Sequence, residues 1–339
     1  MATFDRPTLR DVAELAGVSI KTASNVIGGY ARVTPATSAK VRDAVERLGY
    51  KANLGARLLR GGRTGLVGLA LPNLRIPYFA DVAHHVIESS RPLKWTILID
   101  QTDGNLAQEL EVLRGIRPHL IDGLIYSPLE LSSEDFVKLD EDVHIVLIGE
   151  VSHQKRFDYV SIDNIEASKV ATTYLIQNLS RKRVGVIGRE MQLSRTTGKL
   201  RLQGYQDAHK SLKMKVDQSL VTRVSDFTMP EGYNATKKLI ENKVMFDGLF
   251  CFNDLLAIGA MKALSEAGLR VPEDVAVIGF DDTEEGVYHT PSITSVSPDK
   301  EMLAKVAVQL LHDRIDGTYL GPARNVVVDY RIVHRESAP

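Results

Sequence analysis

Tyr78, Phe79, Glu150, Arg201, Phe227, Asn253 and Asp281 are the side-chain types that hold a small polyhydroxylated molecule. Carboxylates and an amide take and give hydrogen bonds to hydroxyls, a guanidinium donates in a fixed fork, and aromatic faces cover the apolar side of a ring. Their positions share a logic. Leu71-Pro72 runs into Ile76-Pro77-Tyr78-Phe79, and Glu150 follows the apolar run Leu147-Ile148-Gly149. Asn253-Asp254 follows Phe252, Asp281-Asp282 follows Phe280, Arg201 opens a helix, and Phe227 lies in a loop after a strand. Asn253 and Asp282 equally occupy places where α/β proteins put helix N-caps. Catalytic patterns are missing: there is no G-x-S-x-G, H-E-x-x-H or C-x-x-C. Gly198-Lys199-Leu200 lacks the Ser or Thr of a phosphate loop. His84 and His85 project from one helix in different directions and make poor co-ligands. The one cysteine, Cys251, lies in the apolar run GLFCF as a core filler. Binding is expected, not catalysis, with no cofactor and no metal.

The elements that must position these residues alternate. Strands are expected at Leu66–Leu71, Thr96–Ile99, Gly123–Tyr126, Ile145–Ile148, Val184–Ile187, Gly248–Phe252 and Val275–Phe280. Helices are expected at Phe79–Ser89, Leu106–Gly115, Glu166–Leu179, Gly198–Leu212, Gly232–Asn242, Leu255–Ala267 and Lys300–Ile315. Continuous apolar strands separated by amphipathic helices imply parallel sheets covered on both faces. About 270 residues of this pattern exceed one doubly wound unit, so two lobes are expected, with a ligand in the crevice at the strands' carboxyl ends.

The first 63 residues are different. Thr8 can cap a helix with Asp11 three residues on, Gly17 can stop it, and Ser19 can cap a second helix that ends at Gly28-Gly29. Two short helices joined by a Gly-containing turn are the pattern of a helix-turn-helix, whose second helix lies in the DNA major groove, and also of an ordinary αα-hairpin packed on a core; the helix-turn-helix is expected. Thr34-Pro35 opens a third helix, closed by Gly49. The stretch KANLGARLLRGGR then carries four cations and no acid, and Asn53 can cap a short helix through Leu59 that orders on DNA.

Of 339 residues, 44% are hydrophobic and 25% charged, as in ordinary globular proteins. The net charge of −1 hides an asymmetry: residues 1–63 hold eleven Lys/Arg against five Asp/Glu, so a head of +6 sits on a body of −7. A basic head on an acidic body fits a nucleic-acid reader joined to another function. MATFDRPTLRD contains no apolar leader and no apolar run spans a membrane, so a cytoplasmic protein is expected.

TLRDVAELAGVSIKTAS, VTPATSAKVRDAVERLGYKAN, ARLLRGGRT, IPYFA, RLQGY, CFNDLLAIGAMKAL and VPEDVAVIGFDD together resemble the lac-repressor/galactose-repressor family from Thr8 to the C-terminus. The resemblance implies an all-α helix-turn-helix headpiece (1–50), a hinge (51–63) and an α/β core (64–339) of two doubly wound parallel-sheet lobes, like a periplasmic binding protein. The first lobe is expected at 64–161 plus 294–323, the second at 162–293 plus 324–339. It implies a homodimeric repressor on a pseudo-palindromic operator of double-stranded DNA, governed by a small-molecule effector, expected to be a sugar. Ile20, Lys21, Thr22 and Asn25 would face bases or phosphates, with Thr8, Ser19, Ser24, Arg32 and Thr34 at phosphates or turns. Asn53, Ala56 and Leu59 would meet the minor groove, with Leu59 as the wedge. The effector site would comprise Tyr78, Phe79, Glu150, Arg201, Phe227, Asn253 and Asp281. Three departures stand out: Asn25 where the family commonly has Arg, Ala52 where it has Pro, and Pro298-Asp299 in place of Gln-Pro. Alternatives are a nucleobase effector, a phosphorylated carrier protein as corepressor or, more remotely, a sugar-binding protein without a DNA role.

Overall fold

The computed structural model describes residues 7–27, 33–50, 63–115, 120–137, 143–149, 156–190 and 196–339. They divide into two compact units, Met1–Thr64 and Gly65–Pro339. Gly28, Gly29, Arg32, Ala52, Asn53, Ala56, Leu59 and Glu150, singled out above, lie outside the described residues.

The first unit contains α1 (Leu9–Ala16), α2 (Ile20–Ile27) and α3 (Pro35–Leu48). Each begins on a hydroxyl cap. Thr8 Oγ1 accepts the Asp11 N–H while the Asp11 carboxylate accepts the Thr8 N–H at 2.7 Å, a reciprocal pair that satisfies two otherwise orphaned donors. These hydrogen bonds hold the Asp11 carboxyl below its ordinary range. Ser19 Oγ accepts from the Thr22 N–H at 3.1 Å, and Thr34 Oγ1 from the Thr37 N–H at 3.3 Å with Pro35 in the first turn. Gly17 (φ 65°) and Gly49 (φ 61°) close α1 and α3 in the left-handed region. Val12, Ala13, Ala16, Ala23, Val41 and Ala44 form the core. Its small side chains let three short helices approach closely.

The second unit opens with β1 (Leu66–Leu71), α4 (Pro77–Ser90), β2 (Thr96–Gln101), α5 (Leu106–Gly115), β3 (Gly123–Tyr126), α6 (Ser133–Val137), β4 (His144–Ile148) and β5 (Asp158–Ile162). It continues through α7 (Asn164–Thr173), β6 (Val184–Glu190), α8 (Thr196–Ser211), β7 (Val221–Val224), α9 (Met229–Glu241), β8 (Gly248–Cys251), α10 (Asp254–Glu266), β9 (Ala276–Phe280), α11 (Glu284–Val287) and β10 (Thr294–Pro298). It closes with α12 (Lys300–Asp316), β11 (Asn325–Val328) and β12 (Tyr330–Val333). The strands make two six-stranded sheets, ordered β11-β5-β4-β3-β1-β2 and β12-β10-β9-β8-β6-β7. The first is parallel throughout; in the second only β12 runs antiparallel, against β10. Each lobe thus repeats the doubly wound order 2-1-3-4-5, whose switch point lies between its first and third strands.

The lobe boundaries differ from expectation in two places. β10, placed with the first lobe by sequence, pairs with β9 and β12 in the second sheet; β11, placed with the second, pairs with β5 in the first. Neither segment carries a long apolar run that marks it as a strand, and among the described residues the chain crosses between sheets three times, at Asp163, Asp299 and Asp329. The helix expected over Glu166–Leu179 is α7 followed by a π-helical turn at Tyr174–Asn178.

Candidate functional site

The carboxyl ends of the two sheets face a cleft of about 900 Å³, counted to its open mouth. Both switch points contribute. From the first lobe, Ile76, Tyr78 and Phe79 follow β1 while Ser127 and Leu129 follow β3. From the second, Thr197 and Arg201 lie on α8 after β6, and Asn253 follows β8. Asp226 and Phe227 come from the loop after β7, Asp281 from the end of β9, and Leu303 from the first turn of α12. Six of the seven residues read from the sequence therefore line one cleft: Tyr78, Phe79, Arg201, Phe227, Asn253 and Asp281. The seventh, Glu150, is outside the described residues, although Gly149 before it is in the lining. Ser127 and Gly149 were missed, yet the strand-end rule that flagged Asn253 applies to both. Ile162 and Leu303 carried no such signal, because apolar residues look the same in a lining and in a core.

Arg201 is held on several sides. It is 6% exposed, and its Nε donates to Asn164 Oδ1 at 2.7 Å while Nη1 donates to the Phe252 carbonyl. Its guanidinium lies over the Phe280 ring, 3.5 Å from the centroid. Nη2 stands 3.6 Å from Asp281 Oδ1, a buried ion pair. Burial pushes the Asp281 carboxyl up to about 6, against the opposing pull of Arg201 and Lys300. Asp281 and Asp282 both adopt left-handed backbone, φ 99° and 52°, which non-glycine residues hold only when their surroundings demand it. Behind them sits Asp254, which accepts from the Thr283 N–H at 2.7 Å and from Ser295 Oγ at 2.6 Å. Burial, and then the Asp281 charge, push its carboxyl up to about 7.

Asn253 is a helix cap and also lies in the cleft lining. Its Oδ1 caps α10 through the Leu256 N–H at 2.9 Å, and its Nδ2 donates to the Phe227 carbonyl at 3.1 Å while the residue lines the cleft. Asp282 is not a cap; it pairs with Arg335 at 2.6 Å. Among the described residues no cluster of His, Cys, Asp or Glu could hold a metal ion. Cys251 is fully buried, its thiol pushed far up by burial.

In the first unit, Ser19, Ile20 and Lys21 are exposed at the start of α2, and Thr22, Ser24 and Asn25 are half-buried along it. Ile20 keeps 40% of its surface exposed although apolar, on the helix that follows the Gly17 turn. Thr8, Ser19 and Thr34 spend their hydroxyls as helix caps.

Two family descriptions match this arrangement: bacterial regulatory proteins of the lacI family over residues 8–53, and a periplasmic binding protein-like domain over 175–338. The HTH-type transcriptional repressor PurR of Aliivibrio fischeri is 31% identical over 312 residues, 91% of each chain. The chain belongs to the LacI family. As a LacI-family protein it is a DNA-binding transcriptional repressor, not an enzyme. A solved complex of the transcriptional regulator CelR with cellobiose is similar over 98% of this chain and all of that one, at 30% identity and a TM-score of 0.74. The lac repressor dimer bound to operator and the anti-inducer ONPF shares the fold, at a TM-score of 0.87 over 98% of this chain and 99% of that one, with 23% identity. Among the described residues no helix of this LacI-family chain is long and apolar enough to cross a membrane.

Proposed function

We propose that this repressor is a cytoplasmic homodimer that reads a pseudo-palindromic operator and is controlled by a neutral sugar held between its core lobes. In this reading residues 1–50 contact DNA, 51–63 form the linker, and 64–339 sense the effector. The observation that carries the sugar reading is the 3.6 Å gap between Arg201 Nη2 and Asp281 Oδ1. There a ligand hydroxyl accepts from the guanidinium while donating to the carboxylate. Asn253 adds an amide beside them, and Phe227, edge-on to Phe252 at 6.2 Å, offers a half-buried aromatic ring to a sugar face. Tyr78 and Phe79 supply a second aromatic wall, and Glu150 completes the set as a hydroxyl acceptor. The cellobiose held by CelR is consistent with this class of ligand.

At the DNA, Ile20, Lys21, Thr22 and Asn25 of α2 enter the major groove, where the exposed Ile20 suits a thymine methyl and Asn25 pairs with adenine. Thr8, Ser19, Ser24, Arg32 and Thr34 contact phosphates or fix turns, and Asn53, Ala56 and Leu59 meet the minor groove. Dimerisation agrees with the edge strand β2, where Leu98 and Ile99 are each 42% exposed.

A thermal-shift screen of neutral sugars (cellobiose among them), sugar phosphates and purine bases tests the effector class. A ligand at a hundredfold its Kd stabilises the native state by about 2.7 kcal/mol. A neutral sugar is expected to raise the melting temperature, and Asp281→Asn to abolish that rise. A response to purines alone overturns the sugar. Selection from random duplex DNA tests the reader: recovery of the common family half-site, unaltered at the base facing Asn25, counts against that contact.

A further inference from the structure

We propose that Lys300 clasps the two lobes together and positions Asp281, so that one ammonium group links the interlobe angle to the cleft; this rests on reading that cleft as the effector site. Lys300 follows Pro298-Asp299, where the chain leaves β10 and enters α12. Asp299 pins the start of α12: its carboxylate accepts the Met302 N–H at 2.9 Å, and its own N–H donates to the Asp329 carbonyl at 3.0 Å, joining two of the three crossovers. The next side chain, only 11% exposed, turns inward between the lobes.

Lys300 Nζ lies 2.6 Å from Asp81 Oδ2, 3.0 Å from the Asp281 carbonyl and 3.2 Å from the Asp282 carbonyl. Three acceptors match three ammonium protons. They belong to different bodies. Asp81 lies on α4, two residues beyond Phe79 of the cleft wall, and α4 packs with α12 on the first lobe. The two carbonyls belong to the turn at the end of β9 in the second lobe. Separating the lobes strips a largely desolvated ammonium either of its carboxylate or of both carbonyls, and an unpaired charge in such a place is costly. The turn needs holding, since Asp281 and Asp282 both sit in left-handed backbone. The same charge acts on the Asp281 carboxyl, which Lys300 pulls down against the effect of burial.

The test uses the full-length protein without DNA or sugar. Amide hydrogen exchange is followed in the first turns of α4 and in the turn at residues 281–286, for the native protein, Lys300→Met, Asp81→Asn and the double variant. Lys300→Met is expected to speed exchange by about threefold or more in both segments, although they lie on different lobes. Asp81→Asn is expected to speed it less, because both carbonyls remain, and to add nothing once Lys300 is gone. Asp81 is a half-exposed surface position, so its variant folds even if Lys300→Met does not. A surface ion pair acting locally would leave exchange at 281–286 untouched in Asp81→Asn, and that result overturns the clasp. Additive effects of the two substitutions overturn it as well. Failure of the native protein to bind any selected duplex or sugar refutes the proposed function while leaving this exchange experiment intact.

Discussion

Asp254 has no solvent to ionise into: it is 1% exposed, and Gly279 is a glycine because a Cβ there would collide with Asp254 Oδ1. Burial raises its carboxyl to about 7, and that of Asp281 to about 6, from a value of 3.8 in the unfolded chain. The native state therefore holds these protons more tightly than the unfolded state. Their contribution to stability is full below pH 3.8 and is lost as pH rises through about 6 and about 7. Asp254→Asn removes one ionisation while its amide oxygen still accepts the Thr283 N–H. The variant's denaturation midpoint, relative to the native protein, is expected to be higher near about pH 8 than near about pH 4. An equal difference at both pH values rules this origin out. At this scale the sequence was informative where polarity meets a strand end, as at Asn253 and Asp281. It named Asp254 only as the neighbour of Asn253 at a strand end, with no sign of its burial, and it was silent on Asn164, whose role as the partner of Arg201 depends on contact across 37 positions.

The elements most legible in the sequence were those with continuous apolar runs. Leu66–Leu71 and Gly123–Tyr126 were read to the residue, and Gly248–Phe252 to within one. β5, β10, β11 and β12 were not read as strands, and β7 only as an unbounded strand before Phe227, each for a physical reason. β5 begins with Asp158, an acid that belongs in a core only because Arg314 and Arg324 hold both its oxygens, at 2.8 and 2.7 Å. β7, β11 and β12 are partly exposed edge or near-edge strands of mixed polarity. β10 is buried, but its sequence TSVSP resembles a turn; Thr294 and Ser295 are satisfied by Arg335, Ala338 and Asp254. Helix packing was equally hidden. α9 and α10 approach so closely that a Cβ on Gly259 would strike the Met229 carbonyl, and one on Gly232 the Leu256 carbonyl. Backbone cannot yield as a side chain tip does. Gly259→Ala is expected to cost about 1–3 kcal/mol through forced separation of the two helices, read as a lower urea midpoint. The intrinsic helix preference of Ala over Gly, about 1 kcal/mol in the opposite direction, would win only if the helices were loosely packed. A stabilised variant would disprove the tight contact.

At the scale of the whole chain, charge and fold divide at the same place. The first compact unit ends at Thr64, and residues 1–63 carry +6 while the remainder carries −7. An acidic body is repelled by duplex DNA, so the head must supply the attraction, and attraction to phosphate releases counterions. The logarithm of the binding constant should fall linearly with the logarithm of salt, by about 0.9 for each phosphate neutralised. Lys21 gives this a residue-level handle. If it meets a phosphate in both subunits of the proposed dimer, Lys21→Ala should flatten the slope by about 1.8 and weaken cognate and random duplexes alike. If it reads a base edge, the slope should change less and discrimination between duplexes should fall instead. Fluorescence anisotropy across a salt series on both duplexes separates the two outcomes. Residues 64–339 expressed alone should show no salt-dependent DNA affinity and should bind the stabilising sugar as the intact chain does. Loss of sugar binding in that fragment would show that the head takes part in sensing, contrary to the division that the charge and the two compact units both mark.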